Sequence, residues 1–61
     1  MDDEVACAIL RIAEGDGERL RIWYDEPLSA FGGATPRELV AFGRKVDLLR
    51  YLDSLLAGPT G

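Results

Sequence analysis

Residues 31–38 read FGGATPRE, from Phe31 to Glu38. Two adjacent glycines run into Thr-Pro, so the stretch is either a phosphate-cradling loop or a turn that begins a helix, and the fold depends on which. Thr35-Pro36-Arg37-Glu38 has the chemistry of a capping box. The threonine hydroxyl accepts from the orphan amide three residues on, proline occupies the first helical position, and the glutamate reaches back to the cap amide. Gly32 and Gly33 open backbone angles closed to other residues and turn the chain sharply after Leu28 and Phe31 have been set against a core. The phosphate reading lacks the Lys-Ser/Thr pair of a P-loop and a preceding strand, and Glu38 puts negative charge in the turn an anion would occupy. The stretch is architecture.

The helix begun at Pro36 carries Leu39, Val40 and Phe42 and is closed by Gly43. A final helix from Lys45 to Ala57 places Leu48, Leu49, Leu52, Leu55 and Leu56 on one face, with an αL stop expected at Gly58. Pro59, Thr60 and Gly61 form a short uncharged tail. Toward the amino end, Asp16 is an N-cap for a helix of about Gly17 to Asp25 that carries Leu20, Trp23 and Tyr24 and is ended by Pro27. Before it, Asp3 to Glu14 repeats apolar residues at helical spacing (Val5, Ala8, Ile9, Ile12), with the carboxylates of Asp2, Asp3 and Glu4 at its positive end and Gly15 at its stop. The fold class is therefore all-α: one domain over residues 1–61, divided into an amino-terminal helix (1–15), a core (16–58) and a tail (59–61). Trp23, Leu39, Leu49 and Leu52 are expected to form its centre.

At 61 residues the core is small, since a chain of this length buries only about 60% of its unfolded surface. A single cysteine, Cys7, and no histidine leave neither a disulfide nor a Cys/His metal site to add stability, which points to self-association or a protein partner. Cys7, between Ala6 and Ala8, reads as a buried structural thiol. The acidic triplet at residues 2–4 reads as a helix start and not as a metal site. Residues 1–18 hold six acids and one arginine (−5) and residues 19–61 five acids and six basic residues (+1), which sum to the net −4. An acidic amino end, with Arg37, Arg44, Lys45 and Arg50 interleaved among Glu38, Asp47 and Asp53, lacks the basic stripe of a nucleic-acid reader. No segment has the length or apolarity of a membrane span or the charge of a signal peptide, so a cytoplasmic protein is expected. Ser29, Ser54 and Cys7 have no histidine to activate them. An enzyme is not expected, nor a cofactor.

The order Trp23-Tyr24, Pro27, Phe31-Gly32-Gly33, Thr35-Pro36, Leu39-Val40, Gly43 and a leucine-rich helix ending at Gly58 resembles the toxin-binding domain of Xre/MbcA/ParS-type antitoxins, whose core reads W-L…P…L-G-G-x-T-P-x-x-L-L. The resemblance covers about residues 16–58. Tyr24 stands where leucine is usual and Phe31 where leucine is common, and both keep an apolar body. The resemblance implies a bacterial antitoxin module of a type II toxin–antitoxin system, dimeric, that holds a RES-type toxin, an NAD-degrading or ADP-ribosyl-transferring enzyme, inactive. Many such antitoxins carry an amino-terminal helix-turn-helix domain that binds DNA; the fifteen or so residues ahead of the match are too few for one. The end of this domain lies close to the toxin's NAD cleft in that family, which assigns partner contacts to Pro59, Thr60 and Gly61 and orienting charge to Arg44, Lys45 and Arg50. Alternatives are a structural dimerisation domain and a small DNA-binding regulator.

Overall fold

A computed structural model describes residues 1–58; Pro59, Thr60 and Gly61, and the tail contacts assigned to them, lie outside the described residues. The chain folds as α1 (Asp3–Ile12), α2 (Gly17–Tyr24), a 3-10 turn (Ser29–Phe31), α3 (Pro36–Ala41) and α4 (Lys45–Ala57), with no strand among the described residues. The all-α expectation of four short helices is met. α1 packs on α4 and α2, and α3 bridges α4 and α2.

Three of the four helix starts are capped by their own side chains, and α4, entered through Arg44, has no side-chain cap. The Asp2 carboxylate accepts from the amides of Glu4 and Val5 at 3.0 and 3.1 Å, and Asp16 does the same for Glu18 and Arg19 at 2.9 and 3.2 Å. At α3 both halves of the capping box close: the Glu38 amide donates to Thr35 Oγ1 at 3.1 Å and the Thr35 amide to Glu38 Oε1 at 2.9 Å. A Thr, Asp or Asn cap contributes about 1 kcal/mol, a large share for helices of six to ten residues.

Gly32 (φ 68°) and Gly33 (φ 92°) both occupy left-handed backbone. The Gly33 amide donates to the Leu28 carbonyl and the Leu28 amide to the Ala34 carbonyl, each at 2.9 Å, so residues 28–34 close on themselves as an isolated antiparallel bridge. The bridge delivers Leu28 into the core and aims the chain at Pro36, which is itself buried.

Val5, Ile9, Tyr24, Leu28, Leu39, Leu48 and Leu52 form the core cluster, with Ala13 also buried. Two residues expected at the centre stand at its margin: Trp23 and Leu49 are half-buried and pack against the cluster. Ile22-Trp23-Tyr24 cannot share one helical face, because successive residues are rotated by about 100°. Leu20 and Tyr24, four apart, take the inward face, which turns Trp23 to the flank and Ile22 outward at 62% exposure. Tyr24 is thus the aromatic anchor. Arg37 covers its ring at 5.1 Å and is held there by Asp25 at 2.6 Å.

Other departures have equally local causes. Cys7 is exposed, not buried, since it lies between the inward-facing Val5 and Ile9 on the outer arc of α1. Phe42 follows the last residue of α3 and is 71% exposed. After α1 the expected stop at Gly15 (φ 81°) is present and is shared with Glu14 (φ 57°), which also has positive φ; the Gly15 amide donates to the Leu10 carbonyl at 2.9 Å. Gly58 has φ 75° with ψ 177°, outside αL and in a region open essentially to glycine alone.

Candidate functional site

No described residues form a group of three histidine, cysteine or carboxylate side chains able to hold a metal ion, and no polar or charged side chain among them is buried. The charged side chains among the described residues are all at least partly exposed. The three basic residues singled out near the final helix occupy three different environments.

Lys45, the first residue of α4, reaches Asp2 Oδ2 at 3.2 Å and Glu4 Oε1 at 2.9 Å. A cation at a helix start opposes the macrodipole, and the acids of the neighbouring α1 offset it. The contact also fixes the first turns of α1 and α4 against each other. The hydrogen bond to Glu4, then that to Asp2, raises the Lys45 pKa, and the Val5 amide followed by Lys45 holds the Asp2 carboxyl below its ordinary value. Arg44 lies over the Phe31 ring at 5.7 Å and pairs with Asp47 at 3.3 Å, while Phe31 meets Tyr51 edge to face at 5.6 Å. Arg50 has no ion-pair partner among the described residues. It stands on the wall of an open groove of about 640 Å³ between α1 and α4 that is lined on its apolar side by Cys7, Ala8, Leu49 and Leu56 and on its charged side by Asp3, Glu4, Arg11 and Asp53.

The apolar end of α4 was not singled out as a surface feature in the sequence. Leu48 and Leu52 are fully buried, yet Leu55 and Leu56, one turn on, are 43% and 37% exposed. The cause is length. Both helices start together at the Lys45 contact, but α4 has 13 residues against 10 in α1, so at 1.5 Å per residue α4 outruns its support by about 4.5 Å. Comparing the two helix lengths would have exposed this in the sequence, given the pairing. Phe42 and Val46, 71% and 63% exposed at the α3–α4 turn, are further large apolar residues left uncovered.

The arrangement is a small helical module: short helices around one aromatic anchor, with an uncovered apolar helix end and an arginine that has no ion-pair partner among the described residues. Residues 8–58 match the antitoxin Xre/MbcA/ParS C-terminal toxin-binding domain. The chain belongs to that family. The match begins at Ala8, inside α1, which extends it beyond the 16–58 read from motifs and is consistent with the packing of α1 on α4. No curated protein and no solved structure matches the chain. No helix among the described residues is long and apolar enough to cross a membrane.

Proposed function

We propose that the chain neutralises a RES-type toxin, an NAD-degrading or ADP-ribosylating enzyme of the bacterial cytoplasm, by occluding it, and that it has no catalytic activity of its own. Family membership carries the toxin-binding part of this reading. What supports a contact at the end of α4 is its uncovered last turn: Leu55 and Leu56 are exposed ahead of residues 59–61, with Arg50 about one and a half turns back on the groove wall. Exposed leucines at a helix end supply the desolvated centre of an interface, and an unpaired arginine at its edge supplies orientation and association rate. Arg44 and Lys45 add positive potential while remaining tied to Asp47 and to Asp2 and Glu4. Pro59, Thr60 and Gly61 enter the partner's cleft in this reading, and the chain acts as a homodimer.

The test is NAD consumption by the toxin encoded beside this gene, titrated with the chain and its variants. The Leu55→Asp/Leu56→Asp variant should inhibit at least about tenfold less tightly with an unchanged melt. Deleting residues 59–61 should weaken inhibition without unfolding. Arg50→Glu should slow association in a salt-sensitive way. Wild-type inhibition by all three variants refutes the placement of the contact; tight binding to the toxin with no effect on NAD loss refutes the RES assignment.

A further inference from the structure

We infer that the outer face of α2 is the surface on which two copies of this chain pair, antiparallel, with the two-fold axis passing between Ile22 and Trp23. The inference deepens the homodimer reading above by naming the surface. It begins from a shallow hollow of about 540 Å³ on the side of the molecule formed by α2 and the end of α1, lined by Ile12, Ala13, Arg19, Ile22, Trp23 and Glu26. Ile22 is 62% exposed there and Trp23 half-buried beside it, and tryptophan is among the residue types that carry binding energy at protein interfaces when a partner desolvates them.

The occupant follows from the pattern of charge. Residues 19, 22 and 23 share one face of α2, and Glu26, two residues past the last residue of α2, lines the same hollow, so the apolar pair lies in the middle with one charge of each sign at the ends. The midpoint of Arg19 and Glu26 coincides with the midpoint of Ile22 and Trp23. An antiparallel second copy therefore sets each Ile22 against the other copy's Trp23 and places each Arg19 opposite the other copy's Glu26, twice, as a two-fold interface requires. Neither residue has an ion-pair partner within the chain among the described residues. They do not pair with each other either.

A second observation points the same way. Arg19 lies in the first turn of α2 and Glu26 just past its end, so each charge faces the pole of the helix dipole that repels it. Within one chain this arrangement is unfavourable at both ends. Beside an antiparallel copy it reverses: Arg19 meets the negative carboxyl end of the neighbouring α2 and Glu26 its positive amino end. The charges are placed wrongly for the helix that bears them and correctly for a second helix across the axis.

The experiment is sedimentation equilibrium of the full chain from about 1 μM to about 1 mM, with circular dichroism to establish that each variant is folded. The wild type should dimerise. Arg19→Glu and Glu26→Arg, each of which sets like charges against one another twice, should weaken the dimer at least about tenfold. The double variant Arg19→Glu/Glu26→Arg restores opposite charges across the axis and should return to within about threefold of the wild type. A double variant no better than the single ones, or single variants that dimerise like the wild type, overturns the α2 surface while the homodimer reading stands. A wild type that stays monomeric across the range overturns both, and toxin neutralisation remains separately measurable through NAD loss.

Discussion

Replacing Gly33 by alanine perturbs the stretch on which the fold turns, and its cost can be worked from the backbone alone. A Cβ built at Gly33 meets no atom within 4 Å, and the same is true at Gly32 and Gly17. No steric clash enters at any of the three, so only backbone conformation distinguishes them. Gly33 has φ 92° and Gly32 φ 68°, whereas Gly17, the first residue of α2, lies outside the left-handed region. Left-handed backbone costs a residue with a Cβ about 1–2 kcal/mol. At Gly17 alanine instead restricts the unfolded chain and gains up to about 1 kcal/mol. For a domain whose whole stability is of the order of 3–9 kcal/mol at this length, Gly33→Ala removes a substantial fraction and lowers the Tm by about 4–15 °C. Gly17→Ala leaves it unchanged or raises it. Thermal melts of the three single variants by circular dichroism make the comparison. If Gly33→Ala and Gly17→Ala melt within a degree of each other, positive φ is not what the turn requires and the glycines serve some other purpose, a partner contact foremost.

Two further perturbations separate elements of the fold. Tyr24→Ala empties the centre of the core and should cost about 3–5 kcal/mol, leaving the chain largely unfolded, whereas Trp23→Ala, at the margin, should cost less; denaturant melts in which Trp23→Ala is the more damaging of the two refute the assignment of Tyr24 as anchor. The contact between Lys45, Asp2 and Glu4 sets a pH dependence: the Asp2 pKa is depressed from 3.8, so its contribution is present above that value and lost as pH falls below it, and the Lys45 pKa is raised from 10.5, so its contribution is present below that value and lost above it. Asp2→Asn keeps a capping oxygen and removes the charge; its stability should fall less steeply below about pH 4 than that of the wild type, and identical acid limbs in the two melting profiles would dispose of the idea.

What the sequence by itself determined is what short-range chemistry decides. Asp2, Asp16 and Thr35 with Glu38 cap the helices they precede, Pro36 occupies the first turn of α3, and Gly32 and Gly33 take the positive φ that their turn demands, because each of these interactions spans no more than seven residues of chain. The motif string through Trp23, Gly32-Gly33, Thr35-Pro36 and Leu39 also pointed to the family, since its spacing reflects those same local requirements. Tertiary structure decided what depends on neighbours. Periodicity placed Trp23 and Tyr24 together on α2, but only the position of α1, α3 and α4 around that helix selected Tyr24 for the core, left Trp23 at its margin and turned Ile22 outward. Leucine spacing drew one continuous apolar face along α4, and only the shorter reach of α1 beside it left Leu55 and Leu56 uncovered. Arg44, Lys45 and Arg50 are indistinguishable as basic residues in sequence. The first pairs locally with Asp47, three residues on, whereas folding brought the second to Asp2 and Glu4, more than forty residues away along the chain, and gave the third no ion-pair partner among the described residues. Coulomb attraction acts on distances through space, which the order of residues along the chain does not contain.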